Sequence, residues 1–420
     1  MKKSFLILVL FAISMTAFAQ ELPFKKVKLS DSIALANQMQ LLATQCDTKN
    51  LSTLDQFKFQ LIRGEYKDAL TSIKKSVAEI PIDQRQYLDV YLHYVEAKLS
   101  MNFKDAFKKS YGKYVKNSND IQVINLDKAL IIRDPTDYYV SNFNNTYSDI
   151  KFDKISQATA TDLVKKYFLS TVFSSTRAIY FEEIKQDYKR RYIVNDSIVI
   201  PMKDGAEVSI VLVERKGNPT TKKSAILVSS IYTGTNEAAA MLSASKGYLG
   251  VIANTRGKRL SKSDIKPLEY EQTDVYEVID WISKQSWSNQ KVAMFGGSYN
   301  GFTQWASMKH NVHPALKTIV PMVAIAPGID YPMENNILHN YSYSWNFYVT
   351  NNKFLDFDAS NDFNRWNTLK NTWYKTGVAF NKLDSLDGQI NKLWNAYMQH
   401  PSYDDYWKKG PTKGDNPAAE

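Results

Sequence analysis

The stretch Val292-Ala293-Met294-Phe295-Gly296-Gly297-Ser298-Tyr299-Asn300-Gly301 decides how this chain folds. An apolar run that passes through two glycines into a serine predicts a strand, a sharp turn and a helix. Such a turn strains its serine and exposes the hydroxyl at the carboxyl edge of a sheet. The stretch therefore predicts a nucleophile elbow with Ser298 at its tip.

The elbow departs from the usual pattern after the serine. Gly296 stands two residues before Ser298 as expected, but Asn300 stands two residues after it and Gly301 follows. By itself the stretch also fits a glycine-rich turn with an inert serine, as in many nucleotide-binding proteins. The usual phosphate loop is excluded because no Gly-Lys-Ser or Gly-Lys-Thr follows, and no dinucleotide-binding glycine triplet opens the first βα turn.

Strands and helices alternate around this elbow. Asp204-Gly205 is typical of a hairpin turn between two strands. Predicted strands cover residues 192–202, 208–213, 225–231, 249–253, 291–295 and 316–325, and predicted helices cover 236–245, 273–283 and the segment after Ser298. The alternation predicts right-handed βαβ units and an α/β fold with a doubly wound, mostly parallel sheet.

The flanking segments have different patterns. Apolar residues at helical spacing predict an all-helical domain over residues 20–188, ahead of the α/β core at 189–330. Gly64-Glu65-Tyr66-Lys67-Asp68-Ala69-Leu70 is similar to one tetratricopeptide unit, but we find no repeat period. Aromatic residues crowd residues 331–410, which predicts a helical cap whose aromatics form its core and part of a substrate pocket. Residues 411–420 are a tail.

The N-terminus indicates export. Two lysines, an apolar run and Ala17-Phe18-Ala19 have the order of a secretory signal peptide over residues 1–19. No later segment approaches the roughly 20 apolar residues of a membrane anchor. We expect a secreted or periplasmic protein in which the single cysteine, Cys46, is a buried apolar residue.

Charge and histidine positions exclude several classes of partner. The net charge of +10 is spread among acidic residues, and we interpret the run Lys189-Arg190-Arg191 as a solvated strand end rather than a nucleic-acid patch. His93 has no second ligand at metal-binding spacing. We expect no nucleic acid, no metal and no cofactor.

Acyl transfer at Ser298 needs hydrogen-bond donors for the oxyanion. One donor is the backbone N–H after the nucleophile, here that of Tyr299. The second comes from the loop after strand 225–231, where the Tyr232 phenol is placed either to donate or simply to pack.

Several segments together resemble one family. Met202-Lys203-Asp204-Gly205, Ile231-Tyr232-Thr233-Gly234, Thr255-Arg256-Gly257, the segment 280–289, the elbow with glycine third after serine, and the segment 400–407 follow in order. This series resembles the X-Pro dipeptidyl-peptidase and cocaine esterase family of α/β-hydrolases, which includes α-amino-acid ester hydrolases. The resemblance covers roughly residues 195–410 and implies a serine hydrolase with Tyr232 and the Tyr299 amide as oxyanion donors.

The resemblance also implies a triad aspartate and histidine after strands beyond the cap. The sequence ends at Glu420, soon after the cap, and none of His310, His313, His339 and His400 is expected near Ser298, while Asp330 suits a cap hinge. We therefore expect a truncated or split enzyme, incomplete at the C-terminal side of its sheet, with poor solubility and negligible hydrolysis.

The sequence thus predicts an exported serine hydrolase acting on a small ester or peptide substrate through an acyl-enzyme on Ser298. It does not distinguish a peptidase from an esterase. The alternative is a non-catalytic interaction protein whose helical domain binds a partner.

Overall fold

We describe the protein from a computed structural model that covers residues 21–217 and 222–409. The predicted signal peptide and tail lie outside the described residues. The contacts divide the chain into two compact units, one of residues 21–118 and 128–185, the other of residues 119–127 and 186–409. The predicted domain limits differ from this division and stay predictions.

The N-terminal half is helical, as predicted. In chain order its elements are β1 Glu21–Pro23, α1 Ser32–Gln45, α2 Thr53–Arg63, α3 Tyr66–Glu79, α4 Gln86–Lys98, α5 Phe103–Asn117, α6 Asp120–Asp127, α7 Thr136–Asp149, β2 Lys154–Ser156 and α8 Gln157–Arg191. Asp31 caps α1 by accepting a hydrogen bond from the Ala34 amide, and Gly64 ends α2 in the left-handed region, at φ 85°. Local capping rules therefore place these helix ends.

Two helical hairpins, α2–α3 and α4–α5, repeat a short motif that the sequence analysis passed over. Glu65-Tyr66-Lys67-Asp68-Ala69-Leu70 leads into α3, and Asn102-Phe103-Lys104-Asp105-Ala106-Phe107 leads into α5. The two segments carry different residues at each large apolar position, so the repeat is not apparent from the sequence. The inner faces of the hairpins pack on α8, because Phe57 and Tyr91 both contact the ring of Phe168.

The basic run Lys189-Arg190-Arg191 was wrongly interpreted as a strand end. These residues form the last turn of α8, where cations favour the helix dipole. Arg191 pairs with Asp187 and Asp120, and Asp120 also pairs with Arg215. Arg191 of this run therefore forms ion pairs within the protein.

The second unit is built on a six-stranded sheet. Its strands and helices are β3 Tyr192–Pro201, β4 Glu207–Arg215, β5 Lys223–Ser230, α9 Glu237–Ser245, β6 Leu249–Asn254, α10 Glu271–Lys284, β7 Ser288–Gly297, α11 Tyr299–Ala306 and β8 Leu316–Met322. The strand order is β3-β4-β6-β5-β7-β8, with β3 and β4 antiparallel to their neighbours and β5 to β8 parallel. The predicted α/β fold is confirmed.

Helices cover both faces of this sheet. Val275, Ile279 and Ile282 of α10 join the core formed by alternate strand residues such as Leu227 and Val251. On the other face, a Cβ added at Gly250 would lie 2.1 Å from the Ala240 carbonyl oxygen, so α9 packs directly on β6. The arrangement is doubly wound, and β7, the strand that leads to Ser298, lies between β5 and β8.

At one edge of the sheet, among the residues that the structure describes, β8 pairs only with β7. Val320 and Met322 expose 53% and 49% of their surface, and Val323, just beyond the strand, exposes 87%. The apolar surface expected at this side of the sheet is therefore present in the described part of the chain.

The cap follows β8 and carries a small hairpin that the sequence analysis did not predict. Its elements are β9 Met333–Glu334, β10 Ile337–Leu338, α12 Tyr341–Thr350, α13 Phe357–Asn361, α14 Phe363–Thr376, α15 Leu383–Asp387, α16 Lys392–Gln399 and α17 Asp405–Lys409. Tyr343, Trp394 and Tyr397 are buried in one aromatic core, as predicted for most of these residues. Across the described ranges, no helix combines the length and apolar character needed to cross a bilayer.

Candidate active site

Ser298 occupies the turn between β7 and α11, in a backbone conformation that side-chain-bearing residues seldom adopt. Its φ is 56° and its ψ is −124°. The Ser298 amide donates to the Met322 carbonyl at 3.0 Å, which holds the turn against β8. A strained serine between a strand and a helix is the geometry of a nucleophile elbow.

Two glycines allow this turn, and their surroundings explain the unusual pattern after the serine. At Gly296, with φ 148°, an added Cβ would lie 2.6 Å from the Cβ of Asn300. At Gly301 it would lie 2.9 Å from the Cα of Ala324. Gly301, the third residue after Ser298, is therefore the one that lies against the backbone at Ala324. This position needs glycine, whereas position 300 accommodates asparagine.

The loop after β5 brings Tyr232 to Ser298. The Ser230 hydroxyl accepts from the Tyr232 amide at 3.0 Å, and the Asn236 side chain donates to the Tyr232 carbonyl at 2.8 Å. The Tyr232 phenol lies close enough to the Ser298 hydroxyl for the serine to lower the pKa of the phenol. From the sequence, Tyr232 could either donate a hydrogen bond or simply pack. In the structure its phenol lies beside Ser298.

Trp345, in the cap helix α12, is a site residue that the sequence analysis missed. Burial raises the pKa of the Tyr232 phenol, and Trp345 lies close enough to lower it in part. The phenol therefore stays protonated near neutral pH, and its own O–H remains able to donate. Trp345 was one of many aromatics in the cap, and nothing in its local sequence distinguished it.

Tyr299 begins α11, and its amide is one of the N–H groups at the N-terminus of that helix that lack an intrahelical partner. Its fully buried side chain donates a hydrogen bond to Glu271, and the Leu268 amide and Thr255 hydroxyl approach its oxygen at 3.3 and 3.5 Å. Burial and the Glu271 carboxylate raise the pKa of Tyr299 well above its usual range. The phenol thus anchors the residue that follows Ser298.

Glu271 is the second site residue that the sequence analysis missed. It lies in the first turn of α10, which begins two residues earlier than predicted. Burial raises the pKa of its carboxyl to about 7. An acidic residue at a helix start is ordinary, so only the contact with Tyr299 reveals its position.

Arg256 holds the loop after β6 in place. Its guanidinium donates to Asp274 and Asp204, both at 2.8 Å, and lies 3.6 Å from the centre of the Tyr270 ring. These contacts connect the β3–β4 turn with the start of α10. The Thr255-Arg256-Gly257 segment is therefore a structural junction behind the site.

The histidines after Ser298 contact other groups. His313 lies 3.5 Å from Asp280, His400 hydrogen-bonds Asp404 at 2.7 Å, and His339 stacks on Tyr341. Asp330 accepts a hydrogen bond from the Ala326 amide and so closes the turn that leads into the cap. In the described ranges we find no hydrogen bond from a histidine to Ser298 and no group of three or more metal-ligating side chains.

The arrangement has parts of an acyl-transfer site. A strained serine hydroxyl lies beside a neutral phenol, and the amide that follows the serine is at a helix N-terminus. Donors placed in this way stabilise the negative charge that forms on a carbonyl oxygen during nucleophilic attack.

Several known proteins are similar to this chain. Cocaine esterase from Rhodococcus sp. (strain MB1 Bresler) is 31% identical over 147 residues, which are 32% of this chain and 24% of that protein. A solved α-amino acid ester hydrolase is 23% identical, with a TM-score of 0.43, over 52% of this chain and 39% of its own. A CocE/NonD family hydrolase from Staphylococcus aureus is 22% identical, with a TM-score of 0.38, over 52% and 38%.

Each match spans less than half of the relative's length. The sequence model of the X-Pro dipeptidyl-peptidase (S15 family) matches residues 189–417, more than half of the 420 residues. The matched region contains the elbow, the Tyr232 loop and the cap. The chain therefore belongs to the X-Pro dipeptidyl-peptidase family S15 and is related to cocaine esterase.

Proposed function

We propose that this hydrolase is exported and cleaves an ester or amide bond through an acyl-enzyme on Ser298. The conformation of Ser298, at φ 56° and ψ −124° beside the Tyr232 hydroxyl, carries the proposal. Such strain persists at functional sites because the surrounding structure maintains it. The order of residues 1–19 supports export.

In the proposed reaction the Ser298 oxygen attacks the substrate carbonyl and its proton passes to a base. The Tyr232 O–H and the Tyr299 N–H donate to the oxygen of the tetrahedral intermediate. The bond to the leaving alcohol or amine then breaks as that group takes up a proton, and water hydrolyses the remaining ester on Ser298.

We propose that the base and its supporting acid come from polypeptide outside the described residues. The histidine contacts described above support this, and so does the exposed apolar edge of β8 beside the elbow. Without a base, turnover falls by several orders of magnitude, although oxyanion donors alone retain part of the catalysis.

Acylation of the 420-residue chain by p-nitrophenyl acetate tests this proposal. Its good leaving group needs little base assistance, so we expect slow acetylation of Ser298, and the acetyl group should accumulate because hydrolysis of the acyl-enzyme also needs a base. Peptide mass spectrometry should locate the acetyl group on the peptide containing Ser298.

Ser298→Ala should abolish this acetylation, and Ser385→Ala, at an exposed cap serine, should leave it unchanged. Acetylation at other residues with none at Ser298 would contradict the proposal. Rapid multiple turnover by the 420-residue chain would contradict the proposal that the base comes from polypeptide outside the described residues.

The alternative of a non-catalytic partner-binding protein has less support. The inner faces of the α2–α3 and α4–α5 hairpins are the surfaces that such hairpins would offer to a partner. Phe168 and Phe173 of α8 contact Tyr91 on that side, so the chain's own helix covers this part of the surface.

A further inference from the structure

Lys258 is fully buried, although it carries a positive charge. It follows Gly257 in the loop after β6, with none of its surface exposed. No carboxylate in the described ranges lies within ion-pair distance of it. Burying an ammonium group is costly unless its donors are all used.

All three donors of this ammonium are used on the cap. The Lys258 Nζ donates to the carbonyl oxygens of Val349, Asn352 and Phe354 at 2.8, 2.6 and 2.9 Å. Burial lowers the pKa of Lys258 to about 8, so the group is still mainly charged at pH 7. An apolar side chain of the same length would fill the space and leave three carbonyls unpaired.

These carbonyls lie at and just beyond the C-terminal end of α12. The last carbonyls of a helix lack intrahelical partners and carry partial negative charge, so a cation there is favourable. Two further bonds join the same segments: the Arg259 amide donates to the Lys353 carbonyl at 2.9 Å, and the Lys353 ammonium donates to the Ser261 carbonyl at 2.5 Å. The loop after β6 thus holds the end of the first cap helix.

The same helix presents three aromatic residues to Tyr232. Tyr341, Trp345 and Tyr348 are spaced four and three residues apart, which places them on one face. Trp345 packs in one cluster with Tyr232, and the centre of its ring lies 6.3 Å from that of Tyr299, the residue after Ser298. Tyr341 and Tyr348 lie close enough for the charge of Tyr232 to affect their pKa. A shift of α12 would therefore move the indole that supports the oxyanion donor.

We propose that Lys258 is a positioning residue that fixes α12 over Tyr232 and Ser298 and acts on the reaction through Trp345. The catalytic part of this inference rests on the proposed function of Ser298. The attachment of α12 to the loop after β6 does not rest on it.

Hydrogen exchange of the full chain at pH 7 tests the attachment. In Lys258→Met, amides within residues 341–356 should exchange about tenfold faster than in the wild type, since three hydrogen bonds to this segment are lost. Amides of α10 should be unchanged. Lys67→Met, at an exposed lysine of α3, is the matched control and should change neither segment.

Unchanged exchange rates in residues 341–356 would overturn the proposal. An equal increase of the exchange rates in α10 would also overturn it, because a general loss of stability produces that result. If Lys258→Met does not fold, Lys258→Arg serves instead. It keeps the charge but not the geometry of an ammonium, so it should give a smaller increase that is still confined to residues 341–356. A uniform increase or none in that variant would overturn the proposal equally.

The action through Trp345 is tested by the rate of Ser298 acetylation. Lys258→Met and Trp345→Phe should each slow it, and the double variant should be no slower than the slower single variant. Additive effects would overturn the action through Trp345. A wild-type chain that is not acetylated overturns the proposed function and this action together, and the exchange result still decides whether Lys258 holds the cap.

Discussion

Glu271 is a carboxylic acid enclosed by protein, and it accepts a hydrogen bond from Tyr299, the residue that follows Ser298. Burial raises its pKa from 4.5 to about 7. Below pH 4.5 the acid is protonated in both the folded and unfolded states. Between pH 4.5 and 7 the unfolded chain loses this proton while the folded protein keeps it, so folding becomes less favourable as pH rises.

Glu271→Gln should remove this pH dependence and still accept the hydrogen bond from Tyr299. We expect the free energy of unfolding of Glu271→Gln, relative to that of the wild type, to rise by on the order of 2–3 kcal/mol between pH 4.5 and 7. Urea unfolding at a series of pH values measures this difference. Glu79→Gln, at an exposed glutamate, is the control, and parallel pH curves for wild type and Glu271→Gln would refute the expectation.

At the scale of the element, the junction of β7 and α11 depends on Gly301. An added Cβ would lie 2.9 Å from the Cα and Cβ of Ala324 and 3.1 Å from the Met322 carbonyl oxygen, and backbone atoms cannot move aside as a flexible side chain can. Gly301→Ala should lower the free energy of unfolding by about 1–3 kcal/mol, as overpacking does. Thermal or urea unfolding measures it.

Gly112→Ala is the matched control, because Gly112 is also a helical glycine. Its added Cβ would meet only the end of the Glu183 side chain, which can rotate away. Alanine also favours a helix over glycine by up to about 1 kcal/mol. This control should be neutral or stabilising; an equal loss in both variants would show that close packing at Ala324 is not the cause.

At the scale of the whole molecule, the edge strand β8 leaves apolar side chains in water. Exposed edges of this kind favour association with other strands, and a lysine on the edge opposes it. We expect the chain to associate reversibly as its concentration rises, and Val320→Lys to reduce this association. Analytical ultracentrifugation measures it.

Ile390→Lys provides the comparison, since Ile390 is 81% exposed on the cap and lies away from any strand. It should leave the association unchanged. Association that is equally sensitive to both substitutions would argue for general hydrophobic contact rather than for pairing at β8.

Much of the fold could be predicted from the sequence because its signals are local. Apolar runs of strand length, Asp204-Gly205 and the glycines around Ser298 each restrict their own few residues. Leu35, Met39 and Leu42, apolar residues at helical spacing in α1, are all buried. The repeated hairpins and the helical end at Lys189-Arg190-Arg191 were missed, since their signals are weak at short range.

The parts of the site that escaped prediction join residues far apart in the chain. Glu271 and Tyr299 are 28 residues apart, and Lys258 donates to carbonyls 91 to 96 residues away. Glutamate at a helix start and lysine in a loop are ordinary in sequence. Only burial beside a particular phenol or carbonyl makes them distinctive, and burial depends on how the whole unit packs.

The sequence by itself determined the order of strands and helices, the position of the turn that carries Ser298 and the family resemblance, because backbone conformation and side-chain periodicity act over a few residues. Tertiary structure decided which groups surround Ser298: Tyr232 at its hydroxyl, Trp345 behind Tyr232, Glu271 beneath Tyr299, and Lys258 at the end of α12. Hydrogen bonds and desolvation act only between groups that folding has brought within a few ångströms of each other, whatever their separation along the chain.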